Sequence, residues 1–318
     1  MPLALPILLL LFSQGGCARV TPPAGLADNS QQTTVAVRSE FKAALDAPVK
    51  SASVSGSILF PAGQKRVESV IVTVARATSP RREYSDARWR GMAERLNAAF
   101  LFLSLQQAPG ENIPIADQVV RNAAAGGADG LVALLNRFAA DSGHDELRTV
   151  PLLFFGGSAG GSFGTTFAML HPTRTIGLVR YNSHSRGLPI DVERIRTIPV
   201  LLVAGGDDQT AGTEDAEKLW RQGRALEAPW TFGIQPGQGH LAGLEPATPF
   251  IVSWIEGVMH HRLAGSELRE IDPANTWRAD NRTSRIDRGR PPAADLPHTS
   301  WLPDEKTAKL WQEVVVGK

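Results

Sequence analysis

What most constrains this chain is an alternation of short apolar runs with segments of helical period. The runs at 67–75 (VESVIVTVA), 98–105 (AAFLFLSL), 150–155 (VPLLFF), 176–181 (IGLVRY), 198–204 (IPVLLVA) and 230–235 (WTFGIQ) are rich in β-branched and aromatic residues. A strand can be apolar on both sides only where both faces of its sheet are covered. Around these runs, residues 86–97, 129–140, 162–171, 215–226 and 249–262 space their apolar side chains helically, with Asp86 suited to cap the first of them. Strands alternating with helices predict an α/β fold, a mostly parallel central sheet with helices on both faces. Residues 51–60 (SASVSGSILF) alternate small polar and apolar side chains and read as an antiparallel edge strand, while 39–45 reads as a short helix.

The two ends depart from this pattern. Leu3–Phe12 is apolar throughout, the length of a signal-peptide core and well short of the roughly 20 residues of a membrane-spanning helix. No Lys or Arg precedes it, and small residues follow up to Cys17 and Ala18. Residues 1–18 therefore read as a signal peptide, and the protein as exported to the periplasm, cell surface or medium. Residues 19–50 read as a linker or arm, 51–262 as the α/β domain and 263–318 as a C-terminal extension. The extension is rich in Arg, Asp and Pro and closes with a helix at 305–315. Its Trp277, Trp301 and Trp311 are costly to leave in water, so it is expected to pack on the domain.

Composition narrows the function. An apolar share of 42% supports a packed core, and a net charge of +1 gives no general attraction for nucleic acid. A single cysteine rules out an intrachain disulfide and a cysteine-built zinc site.

The chemistry concentrates where run 150–155 meets helix 162–171. Gly156-Gly157-Ser158-Ala159-Gly160 is a G-x-S-x-G sequence between a strand and a helix, the context of a nucleophile elbow. The turn must be sharp enough to lift the serine above the sheet, and side chains at Gly156 and Gly160 would strike the neighbouring helix and strand. A second match, Gly160-Gly161-Ser162-Phe163-Gly164, overlaps it. Using Ser162 would make strand of GGSA, which its glycines oppose, so Ser158 is the preferred nucleophile.

A serine nucleophile needs a base, and the base an orienting carboxylate, in the chain order Ser, acid, His on this architecture. Run 198–204 leads into Gly205-Gly206-Asp207-Asp208, and run 230–235 into Pro236-Gly237-Gln238-Gly239-His240. Both loops leave carboxyl ends of strands and so reach the rim of the elbow. His240 is the candidate base. Of the adjacent carboxylates only one can face it; Asp208 is preferred and Asp207 is the alternative.

On these motifs the chain resembles the α/β-hydrolase superfamily, in particular bacterial secreted esterases of the polyhydroxybutyrate-depolymerase-like and feruloyl-esterase-like kind. GGSAGG at 156–161 with His171-Pro172, GGDD at 205–208 and GQGH at 237–240 carry the resemblance, which covers roughly residues 50–262. It implies a catalytic domain over 51–262 that cleaves a small-molecule or polymeric carboxylic ester through an acyl-enzyme, with no metal or organic cofactor. It also implies that the N–H of Ala159 is one oxyanion donor. By the same resemblance the second donor comes from near Ala77 or Thr78, after run 67–75, although the HGGG-type motif of many relatives is absent there. Separately, Gly15-Gly16-Cys17 resembles the lipobox of bacterial lipoproteins, with Gln14 where Leu is preferred. Cys17 is then the candidate lipidation site and membrane tether, and cleavage after Ala18 is the alternative.

The remaining histidines have plainer readings. His144 suits a helix end or surface, His171 and His260-His261 suit helix C-termini, and His184 follows a strand end and faces the rim. Tyr84 and Trp89 fit core packing better than the wall of an acyl pocket, and the Asn281-Arg282-Thr283 sequon is a chance match. The other functional readings are a serine peptidase or thioesterase on the same fold, and a non-catalytic, envelope-tethered binding protein.

Overall fold

The computed structural model describes residues 40–75, 86–109, 122–185, 187–241, 243–245 and 247–316. Cys17, Tyr84, Ala77 and Thr78, with the whole 1–18 segment, lie outside the described residues.

One eight-stranded sheet organises the chain: β1 Glu40–Ala44, β2 Ala52–Leu59, β3 Ser69–Ala75, β4 Ala98–Gln107, β5 Leu152–Gly157, β6 Thr175–Tyr181, β7 Val200–Gly205 and β8 Trp230–Gln235. Their spatial order is β1-β2-β4-β3-β5-β6-β7-β8. β2 is antiparallel to both neighbours, and every pair from β4 to β8 is parallel. The helices are α1 Ala87–Arg95, α2 Gly127–Ser142, α3 Ala159–Leu170, α4 Thr213–Ala225 and α5 Thr248–Arg262. Asp86 caps α1, its carboxylate accepting from the Arg88 amide at 2.8 Å.

The period of two along each strand supplies two separate cores. β7 sends Val200, Leu202 and Ala204 to one face and Leu201 and Val203 to the other. Leu131 and Leu135 of α2, Phe163 and Phe167 of α3 and Trp220 of α4 cover the first face. Trp89 and Met92 of α1 with Phe250, Trp254 and Val258 of α5 cover the second. Trp89 is thus a core residue, tilted against Phe155 with ring centroids 4.7 Å apart.

Two sequence readings need correction. Of the 39–45 stretch, inside the expected arm, the described residues 40–45 are not a helix; Glu40–Ala44 pairs antiparallel with β2. Phe41, Ala43 and Leu45 all pack on the first core, a spacing of two that fits a strand and not a helix. Consequently β2 is not an edge strand, because β1 covers it. The helix boundaries also move: α3 begins at Ala159, directly after the elbow serine, since helix can start as soon as the glycines relieve the turn.

The extension packs on the domain and carries more structure than its composition suggests. A short hairpin, β9 Leu263–Ala264 with β10 Glu267–Leu268, is followed by a three-stranded antiparallel sheet ordered β12-β11-β13 (Ile286–Arg288, Trp277–Asp280, Thr299–Leu302) and by α6, Glu305–Val316. Its position answers the exposure problem of β8, an edge strand with unpaired backbone groups. The Phe232 carbonyl accepts from Trp311 Nε1 at 2.7 Å and from Asn281 Nδ2 at 2.9 Å, and its amide donates to Ser300 Oγ at 2.9 Å. Trp301 and Trp311 are buried, while Trp277 is half-buried.

Candidate active site

The topology creates a switch point. From β3 the chain crosses to β4 through α1 on one face, and from β5 to β6 through α3 on the other. The order of strands therefore reverses between β3 and β5, and in open sheets ligands bind at the carboxyl ends of such a switch point. Ser158 stands there, one residue past β5.

The elbow shows why its residues are what they are. Ser158 holds φ 49 and ψ −120, outside the ordinary regions for an L-residue. A β-carbon on Gly156 would lie 2.2 Å from the Gly160 carbonyl carbon, and one on Gly160 would lie 2.5 Å from the Val74 carbonyl oxygen of β3. The strain is held by a bond from the Ser158 amide to the Tyr181 carbonyl at 2.9 Å and by the start of α3. As the first residue of α3, Ala159 presents an amide that the helix cannot pair internally, and the helix dipole adds positive potential at that point.

The acid and base arrive from β7 and β8. His240 Nε2 lies 3.2 Å from Ser158 Oγ, and His240 Nδ1 lies 2.9 Å from Asp208 Oδ2. Asp208 Oδ1 accepts from the amides of Thr210 and Ala211, both at 2.9 Å. The side chain of Asp208 is 1% exposed. Burial alone would raise its carboxyl, but the His240 bond and the Ala211 and Thr210 amides outweigh it and hold the group below the usual carboxylate range. Asp207, its neighbour, is exposed. Ser162 is buried inside α3, its hydroxyl donating to the His184 carbonyl at 2.8 Å. Of the sequence candidates, the fold thus brings Ser158, His240 and Asp208 together and leaves Ser162 and Asp207 apart from them. His144 instead pairs with Glu146 at 2.8 Å and stacks on Phe60, and His261 faces the Pro303 carbonyl at 3.0 Å.

Sequence reading missed the end of β6, which ties these loops together. Asn182 Oδ1 accepts from the Gly205 amide at 2.8 Å, where β7 turns into the acid loop. Asn182 Nδ2 donates to the carbonyls of Gly239 at 3.3 Å and His240 at 3.2 Å. The residue sits at φ 45, a conformation asparagine tolerates better than most. Beside it, the Tyr181 hydroxyl donates to the Gly243 carbonyl at 2.7 Å. Burial, with the Asp208 charge adding to it, pushes the Tyr181 phenol up to about 12. The acid and base loops also bond directly, Asp207 N to the Gln238 carbonyl at 2.9 Å. Gly205 permits that approach, since its β-carbon would fall 2.3 Å from the same oxygen. The only local sign of this hub was a polar residue immediately after an apolar strand.

Among the described residues no group of three or more His, Cys, Asp or Glu could hold a metal ion, and no helix is long and apolar enough to cross a membrane.

Comparison with solved structures identifies the fold as that of the α/β-hydrolases. An S-formylglutathione hydrolase from Staphylococcus aureus superposes with a TM-score of 0.50 at 10% identity, covering 69% of this chain and 98% of that one. A Bacteroides ovatus protein named as a dipeptidyl aminopeptidase IV gives a TM-score of 0.52 at 12% identity; the match covers 71% of this chain and 36% of that longer one. A dienelactone hydrolase from Anabaena variabilis gives 0.46 at 19% identity, covering 72% of this chain and 99% of that one. No protein-family model and no curated protein matches the sequence.

Proposed function

We propose that this protein is a serine hydrolase that cleaves a carboxylic ester by acyl transfer to water. The observation that carries the reading is the unbroken chain Ser158 Oγ, His240 Nε2, His240 Nδ1, Asp208 Oδ2 on a strained elbow at a helix N-terminus.

The proton positions follow from the electrostatics. Asp208 is held ionised and can only accept, so His240 Nδ1 carries the proton and Nε2 turns a lone pair to Ser158. Nε2 removes the hydroxyl proton as Oγ attacks the ester carbonyl. The carbonyl oxygen becomes an oxyanion at the N-terminus of α3, with the Ala159 amide as one donor and an amide near Ala77 or Thr78 as the second. Collapse breaks the bond to the leaving oxygen, which takes the proton from Nε2. A water then gives its proton to Nε2 and attacks the acyl-enzyme, and the second collapse releases the acid and returns the proton to Ser158. Asp208 stays ionised and stabilises the imidazolium.

Hydrolysis of p-nitrophenyl esters from acetate to octanoate, with wild type and Ser158→Ala, tests the reading. Turnover and fluorophosphonate labelling should both be lost in Ser158→Ala. Labelling that persists in that variant would move the nucleophile elsewhere, and wild type that neither turns over nor labels would favour a binding role. Amide and thioester substrates in the same assay separate a peptidase or thioesterase from an esterase. Export through residues 1–18, with lipidation at Cys17 as the tether, is a further part of the proposal. Membrane-fraction protein that becomes soluble on Cys17→Ser would support it, and equal partitioning would refute it.

A further inference from the structure

The opposite end of the sheet holds a cavity that the ester chemistry does not use. It encloses about 310 Å³ between the extension and the amino ends of β7 and β8. Ser158, Asp208 and His240 all leave carboxyl ends, so six-residue strands separate the two places by roughly 20 Å. Pro229, Leu226, Ile271, Leu296 and the half-buried Trp277 give the cavity apolar walls.

Its charges do not balance. Arg196, Arg278 and Arg290 line the opening, and each has a carboxylate partner: Glu193 at 2.9 Å, Asp287 at 2.6 Å, and Glu227. Deeper in, Arg224 and Arg262 are 3% and 6% exposed. Arg224 donates through Nε to the Thr299 carbonyl at 2.6 Å and through Nη1 to the Ala228 carbonyl. Arg262 donates through Nη1 to the Arg269 carbonyl at 2.6 Å, and its buried Nε has no partner. Among the described residues neither guanidinium has a carboxylate in contact, and Nη2 of each meets no acceptor. Glu227 and Glu270 also line the cavity, Glu227 paired with Arg290 and Glu270 acting on Arg262 without touching it, so five arginines face two glutamates there. Burial pushes Arg224 down to about 10, still cationic at neutral pH. Buried cations are ordinarily paired, because an unpaired one carries its desolvation cost without return.

We propose that this cavity is a binding site for a small organic anion, a carboxylate or phosphate head on an apolar body, with the head between Arg224 and Arg262 and the body against Leu226 and Trp277. Its volume is at the lower end for small-molecule sites, room for a single-ring ligand. Guanidinium donors suit a planar carboxylate or a phosphate, and the apolar walls select against inorganic anions. The site is independent of the proposed hydrolysis.

Thermal unfolding of the full chain with benzoate, phenyl phosphate and neutral benzamide tests the proposal. At roughly ten times Kd, either anion should raise the folding equilibrium constant about 11-fold by mass action, and benzamide should not. Leu226 is 38% exposed on the cavity wall, so Leu226→Glu can fold while adding a carboxylate to the cavity that holds both arginines. That variant should melt higher without ligand and lose the anion response; Arg262→Gln, if it folds, should lose the response as well. Ser158→Ala should keep it. The proposal fails if neither anion shifts the transition, if Leu226→Glu responds like wild type, or if Ser158→Ala loses the response, which would place the anion at the serine.

Discussion

Asn182 links three pieces of the candidate site and touches none of the reacting atoms, so its removal tests positioning separately from chemistry. Asn182→Gly keeps the positive φ accessible and removes the amide together with its β-carbon. The Gly205 N–H is then buried without an acceptor, at a cost of about 1–3 kcal/mol, and the two longer bonds to the Gly239 and His240 carbonyls add about 0.5 kcal/mol each. For a domain this size the sum lowers Tm by roughly 4–16 °C. The base loop, freed from β6, needs to drift only ~1 Å for a rate loss on the order of 100-fold. The assay is steady-state ester hydrolysis well below the lowered Tm: kcat should fall about 100-fold while KM moves little. Asn182→Ala should melt lower still, by about 1 kcal/mol, because alanine does not favour φ 45. Asn182→Asp retains the acceptor for Gly205 and loses both donors, so it should keep more of Tm than of kcat. An Asn182→Gly enzyme with kcat within a few-fold of wild type would refute the argument and leave the Asp207–Gln238 and Tyr181–Gly243 bonds as sufficient supports.

Further outcomes follow from the same geometry. Asp208→Asn should fold yet lose about 10⁴-fold in kcat, since an amide can favour the wrong His240 tautomer; an unchanged rate would exclude Asp208 as the orienting group. The carboxyl of Asp208 is lower folded than its ordinary 3.8, so its stabilisation is present above that pH and is lost as pH falls through the folded value. Acid titration of Tm should therefore be shallower in Asp208→Asn, and superimposable curves would contradict the assignment. Tyr181 has the opposite sign: raised to about 12, it stabilises fully below pH ~10 and the benefit is lost as pH rises through 12. Tyr181→Phe should flatten the alkaline limb, and a limb as steep as wild type would count against a buried phenol. Gly160→Ala forces a methyl against the Val74 carbonyl and should cost at least about 1–3 kcal/mol by chemical denaturation; a neutral result would mean that β3 can move away from the elbow.

What the sequence revealed and what it concealed divide along a physical line. Local sterics were legible: Gly156 is needed by a contact within one strand–turn–helix unit and Gly160 by the adjacent strand β3, and a serine between them has few other places to be. The loops carrying Asp208 and His240 were legible because a parallel sheet sends every strand's carboxyl end to one rim. β1 was not, because five residues with Phe41 and Ala43 two apart carry too little pattern to separate strand from helix until a partner is known. The extension's small sheet and Asn182 were hidden for the same reason. Asn182 matters through the carbonyls of Gly239 and His240, which lie 57 and 58 residues away, and backbone acceptors leave no mark on side-chain identity. The two buried arginines are the sharper case. Arg224 and Arg262 stand in the last turns of α4 and α5, where cations normally complement the helix dipole in solvent. The extension, folding over them, converts two ordinary helix-end charges into buried ones held by backbone carbonyls and touched by no carboxylate, and that conversion is what gives the cavity its chemistry.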